Sequence, residues 1–199
     1  MPVLRTRTKI GDYWWPHRLV LQTLPEVNLN QKILLTGRPG SGKTTLIKRV
    51  VDKLSLPAGG FYTEEIREGG QRVGFKIVTL TGEESVLAHA DFEAEKRVGK
   101  YGLDLSGLES VGVAAVRRAV AARHLVIIDE IGPMEIRSHS FRGAVTEALD
   151  SNAPVLGTIS VRPFPFTNAI KKRDDVRVIE VRANNREQLV LQLSDQFDA

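Results

Sequence analysis

The chain has 199 residues, 42% of them hydrophobic, with a net charge of +4 and a sequence pI near 9.5. That length supports one substantial core and a single domain, expected over residues 31–199, and the mild positive charge suits a polyanionic ligand. Cysteine is absent, which excludes disulfides, thiolate metal sites and a cysteine nucleophile; no apolar run reaches bilayer length and no secretory h-region opens the chain, so a cytoplasmic protein with no membrane partner is expected.

Residues 1–30 carry Arg5, Arg7, Lys9, Arg18 and a Trp14-Trp15 pair without a sustained helical or strand period. They read as an N-terminal extension, either docked through the tryptophans or disordered. Asp12, Glu26 and the paired tryptophans fit poorly with a transit peptide.

From Ile33 onward strands and helices alternate, which predicts an α/β fold with a mostly parallel central sheet flanked by helices. The apolar run Ile33 to Leu35 leads into GRPGSGKT, Gly37 to Thr44, which matches G-x-x-x-x-G-K-[ST] at every position. Such a loop, here Gly37, Arg38, Pro39, Gly40, Ser41 and Gly42, wraps a phosphate chain with inward-pointing backbone N–H groups, in conformations that glycine visits cheaply. Lys43 stands where a helix begins, so its ammonium can reach the β- and γ-phosphates beside the helix N-terminus; Thr44 offers a hydroxyl to magnesium, and Thr45 follows in the same turn. The helical spacing of Leu46, Ile47, Val50, Val51 and Leu54 completes a strand–loop–helix unit, which a chance glycine-rich turn does not explain.

Pro57 to Gly60 break the chain, and Phe61–Arg67, a turn at Glu68–Gln71 and Val73–Leu80 read as a β-hairpin added to the sheet. By the two-residue period Thr63, Glu65 and Arg67 share one face and Tyr62, Glu64 and Ile66 the other. The first set either lines the nucleotide site or decorates a solvated edge. The polar stretch Asp91 to Asp104 contains VGKYG, where Lys100 reads as solvated, and a helix is expected from Leu108 to Ala122.

Leu125 to Ile128 is apolar on both faces, as a buried central parallel strand requires. Asp129 stands where that strand is expected to end, the edge at which open α/β sheets bind ligands, and is a candidate magnesium carboxylate opposite Thr44. Glu130 is then placed to deprotonate a water for in-line attack on a γ-phosphate. Without the upstream loop, the same Asp-Glu pair reads as a helix N-cap with first-turn charge.

The run DEIGPME, Asp129 to Glu135, followed by Ser138 and Phe141, resembles the thermophile-type nucleoside-triphosphatases, also called the cancer-related nucleoside-triphosphatase family. The resemblance also covers ILLTGRPGSGKTTLIKRV, GFYTEEIREGGQRVGFKIVTL, VGKYGLDL and VLGTIS, in order along most of the chain. It implies a RecA-like P-loop sheet and slow, magnesium-dependent hydrolysis of ATP, GTP, CTP and UTP with little base preference. It implies Gly37 to Thr44, Asp129 and Glu130 as the site, with Gly132 among the nucleotide contacts. The family pattern falls on Gly60, Phe61, Thr63, Glu65 and Arg67, whose separate roles it leaves open. The extension departs from the family, whose members begin almost at the P-loop strand.

A helix from Ser140 to Leu149 and a strand from Val155 to Ile159 are expected next, with Thr158 or Ser160 as candidate γ-phosphate sensors or plain strand-end hydroxyls. Arg162 and Lys171-Lys172-Arg173 are candidates for neutralising transition-state charge, or a mobile basic loop. The last strand, Val176 to Val181, leads through Asn184-Asn185, a capping-box signal, into a final helix, and that loop is placed to border the base. A small-molecule kinase and a nucleotide-dependent RNA-binding switch are the rival functions. The first lacks an arginine-rich lid and the second any nucleic-acid motif, so a monomer acting on nucleoside triphosphates is expected.

Overall fold

The computed structural model describes residues 31–198; the extension expected over residues 1–30, with Trp14 and Trp15, lies outside the described residues. In chain order the elements are β1 (Lys32–Thr36), α1 (Lys43–Val51), β2 (Ala58–Glu68), β3 (Gln71–Thr79), β4 (Glu84–His89), β5 (Arg97–Val98) and β6 (Tyr101–Leu103). Then α2 (Leu105–Gly107) passes through a π-helical stretch, Leu108–Val113, into α3 (Ala114–Ala121). β7 (Leu125–Ile131), a 3-10 turn (Glu135–Arg137), α4 (His139–Asp150), β8 (Val155–Ile159), α5 (Pro165–Lys171), β9 (Val176–Glu180) and α6 (Arg186–Asp198) complete it.

All strands join one nine-stranded sheet in the order β5-β6-β4-β3-β2-β7-β8-β1-β9. The run from β2 to β9 is parallel, the RecA-like half in which β8 separates the P-loop strand from the Asp129 strand. The run from β5 to β2 is antiparallel. The expected hairpin is thus the start of a larger antiparallel extension, and the sheet is mixed. Its outer strands were not legible because β5 and β6 are two and three residues long, too short to carry a period.

β7 shows why the sheet is covered on both sides. Its alternate residues feed different cores: Val126 and Ile128 join Phe61, Val116, Phe141 and Ala144 beneath α3 and α4. Leu125 and Ile127 join Leu46, Ile47, Val50 and Leu193 beneath α1 and α6. Each fully buried side chain of this kind contributes about 1.5–3 kcal/mol. Phe61 and Phe141 meet edge to face at 6.2 Å between ring centroids, which ties β2 to α4.

Two expectations are corrected at the C-terminal end. The stretch read as a mobile basic loop contains α5, started by Pro165 in its first turn, where the missing N–H costs nothing. Arg173 there is bound by Asp150 and Asp175 rather than free to meet a phosphate. The final helix starts at Arg186, but the Asn185 Oδ1 accepts from the Arg182 N–H, while its amide donates to the Glu180 carbonyl. Asn185 therefore ties down the loop behind β9 instead of closing a capping box.

Candidate functional site

The P-loop runs from the end of β1 into α1, and Gly42 holds the junction at φ 86°, a left-handed conformation that favours glycine. A side chain there would also meet Arg186, whose Nη1 would lie 2.7 Å from an added Cβ. The first residue of α6 thus brings a guanidinium to the phosphate loop. Sequence reasoning reached this loop but passed over Arg186 in favour of the asparagines before it. The Lys43 ammonium donates to the Gly37 carbonyl at 3.3 Å, a long bond readily exchanged for a phosphate oxygen. Arg38, Pro39, Gly40 and Thr45 are exposed on the loop and its first turn, while Ser41 and Thr44 are half-buried.

Asp129 and Glu130 lie within β7 rather than after it, and the peptide bond between them is cis. Three neighbours fix Asp129. The Thr158 hydroxyl, from the intervening strand β8, donates to its Oδ1 at 2.6 Å, and the Thr63 hydroxyl, from β2 on the other side, donates to its carbonyl at 2.6 Å. The Thr44 hydroxyl lies beside the carboxylate and favours its charged form. Burial pushes the Asp129 carboxyl up, opposed by Thr158, Thr44 and the Lys43 charge. Its Oδ2 is buried and has no hydrogen-bond partner among the described residues.

An unpartnered buried carboxylate oxygen beside a threonine hydroxyl and a lysine is costly unless something positive occupies the space. Carboxylate and hydroxyl oxygens are the hard ligands that magnesium takes, one or two at a time. The oxygens of Thr44 and Asp129 fit that ion.

The sequence expectation for β2 is corrected in part. Thr63 reaches the site through Asp129, but Glu65 is exposed and binds Arg67 and Arg72. The face toward the P-loop helix is the opposite one, where Glu64 pairs with Lys48 and the Lys48 ammonium lies 4.9 Å from the Tyr62 ring. The two-residue period was right, but it could not say which face α1 covers. Thr158, a candidate γ-phosphate sensor or plain strand-end hydroxyl, holds the aspartate. Arg162 is exposed beyond β8, with its backbone N–H on the Ser160 hydroxyl, and no contact among the described residues joins it to Asp129 or Lys43.

Glu130 has a companion that sequence reasoning quoted but did not assign. A Cβ on Gly132 would lie 3.0 Å from the Glu130 Oε1 and 3.0 Å from the Glu135 Oε2, so both carboxyls crowd the same glycine. Glu135 is only 4% exposed. Burial first, then the neighbouring Glu130 charge, pushes its carboxyl up to about 8. Burial raises Glu130 as well, but Lys43 pulls it back. Of two crowded carboxyls, the more buried one holds the proton, and the one facing the lysine keeps the charge. The only signal for Glu135 in the sequence is an acidic residue amid the apolar neighbours Met134 and Ile136.

The DEIGPME segment is braced from behind. Ser138 caps α4 by accepting from the Phe141 N–H at 3.0 Å and donates to Glu109 at 2.6 Å. The Arg142 guanidinium donates to the Ile136 carbonyl at 2.6 Å. The Ile136 N–H returns to the Gly132 carbonyl at 3.1 Å.

Comparison with known proteins gives the family. A family model described as NTPase matches residues 32–194. The nucleoside-triphosphatase THEP1 of Thermotoga maritima is 50% identical over 159 residues, 80% of this chain and 91% of that protein. The cancer-related nucleoside-triphosphatase homolog of Bos taurus is 40% identical over 174 residues, 79% of this chain and 92% of that protein. Among solved structures, THEP1 from the hyperthermophile Aquifex aeolicus superimposes with a TM-score of 0.79 at 35% identity, covering 85% of this chain and all of that one.

Proposed function

The chain belongs to this nucleoside-triphosphatase family, and from that premise we propose that it hydrolyses nucleoside triphosphates to diphosphate and phosphate, slowly, with magnesium and little base preference. One observation carries the reading. Lys43, at the head of the P-loop helix, acts on both Asp129, whose Oδ2 is buried and unpartnered, and Glu130. The phosphate cradle, the cation's carboxylate and the base therefore face one point.

The backbone N–H groups of Gly37 to Thr44 and the Lys43 ammonium hold the phosphates. Thr44 and Asp129 would hold magnesium, which would supply charge neutralisation at the phosphate oxygens. Thr158 and Thr63 hold Asp129 in place. Glu130 takes a proton from water as the water oxygen bonds to the γ-phosphorus and the bond from that phosphorus to the bridging oxygen breaks. Glu135 stays neutral beside Glu130, so the base is not repelled into its protonated form. The Asn185-braced loop and Arg186 lie beside the P-loop.

No acceptor other than water is needed, and none of the described helices is long and apolar enough to cross a membrane. The purified protein, given magnesium and ATP, GTP, CTP or UTP alone, is expected to release phosphate from all four. Release that appears only on adding a second substrate or RNA would refute the reading in favour of a kinase or an RNA-dependent switch.

A further inference from the structure

Beyond the hydrolytic centre, a groove of about 470 Å³ opens between the 3-10 turn that follows DEIGPME, α5 and the loop before β5. That volume is in the range of small-molecule pockets. Phe164, Phe166 and Ile136 line it with apolar surface, and Arg137, Arg142 and Lys96 line it with positive charge. Phe166 and Ile136 pack on the main core from the groove side. Phe164 is half-buried yet belongs to neither core cluster, which leaves its ring to the groove.

The positive charge lining the groove is not neutralised by neighbours, unlike that of Arg49, Arg117, Arg118, Arg173 and Arg182, each of which holds a carboxylate. Among the described residues Arg137, Arg142 and Lys96 have no acidic partner. Arg142 is held by the Ile136 carbonyl, which uses one of its five N–H groups and aims the rest. Cations of fixed direction beside aromatic walls suit a ligand with a phosphate at one end and a planar ring at the other. Next to Lys96 the exposed Asp91, Glu93 and Glu95 would repel a longer polyanion, so the groove fits a small phosphomonoester better than a nucleic-acid strand.

We propose that this groove is a second ligand site for a small phosphorylated ring compound, with a nucleoside monophosphate as its simplest representative. The ring lies against Phe164 and Phe166 and the phosphate against Arg137 and Arg142. The site is separate from the P-loop and does not depend on hydrolysis.

The test is calorimetric titration of the full chain carrying Lys43→Ala, so that the P-loop does not compete, with AMP, adenosine, ribose 5-phosphate, inorganic phosphate and a short single-stranded oligonucleotide. AMP is expected to bind one site at least about tenfold tighter than adenosine, ribose 5-phosphate or phosphate. Adding Arg137→Ala or Phe164→Ala should each weaken it at least about tenfold, as loss of a charge-assisted bond or a ring contact does. Arg137 is exposed, so its variant serves where Phe164→Ala perturbs folding, and circular dichroism checks both. No AMP binding at millimolar concentration, phosphate alone matching AMP, AMP binding untouched by Arg137→Ala, or tighter binding of the oligonucleotide would each overturn the proposal.

Discussion

Glu135→Gln tests the assignment of the proton between the two crowded carboxyls. In the folded chain Glu135 holds its proton up to about 8, against 4.5 for the free side chain. Between those values the native state binds more protons than the unfolded state, so this group's contribution to stability is fully present below about pH 4.5 and is lost as pH rises to 8. At about 1.4 kcal/mol per unit, the shift caps the effect at about 5 kcal/mol, and interior relaxation reduces it. Glutamine has nearly the volume of the protonated acid and keeps a carbonyl to accept from the Gly132 N–H, but it cannot ionise. Urea unfolding from pH 5 to pH 9 should therefore give similar stabilities for the two proteins at the acid end. At pH 9 the variant should be more stable by on the order of 2–4 kcal/mol, within the cap set by that linkage. Asp129 and Glu130, also raised by burial, impose a similar slope on both proteins and largely cancel in the difference. Parallel stability curves across this range would refute the proton assignment.

Lys43→Ala is expected to abolish tight nucleotide binding, measured with a fluorescent triphosphate analogue, because no other lysine stands at the head of the P-loop helix. Glu130→Gln should leave that affinity unchanged and cut phosphate release at least about tenfold, as loss of a general base does; equal turnover would remove Glu130 from the mechanism. Gly132→Ala adds a Cβ 3.0 Å from both carboxyls, so kcat should fall severalfold while nucleotide affinity holds. An unchanged kcat would mean that the Glu130 position is not set by this glycine.

The P-loop, the buried Asp129 strand and the order of the parallel elements were legible because each has a local cause. Glycines mark the loop, both-face apolarity marks β7, and helical spacing marks α1. What escaped depends on contacts between distant segments. The strands β5 and β6 exist because they pair with their neighbours, not because Arg97–Val98 or Tyr101–Leu103 favour extension by themselves. The face of β2 turned to the helix follows from Phe61, buried on the α3–α4 side, which sends Tyr62 and Glu64 toward α1 and leaves Glu65 to Arg67 and Arg72. Thr158 was singled out as a strand-end hydroxyl, but its partner is fixed by the insertion of β8 between β1 and β7, a fact of topology.

Glu135 shows the same limit and also why the DEIGPME segment acts as a unit. A base that must accept a proton near neutrality needs a fixed position and a neighbour that does not compete for charge. Gly132 permits the close approach, Glu135 supplies the neutral neighbour, and the bonds from Ser138 to Glu109 and from Arg142 to Ile136 hold the turn against the π-helical stretch and α4. The Phe141–Phe61 contact then ties α4 to β2, which also carries Thr63 to the Asp129 carbonyl. The Asp129 and Glu130 carboxylates are thus positioned from both flanks of the same core, so substitutions in the packing of α4 should reach Glu130 without touching the nucleotide.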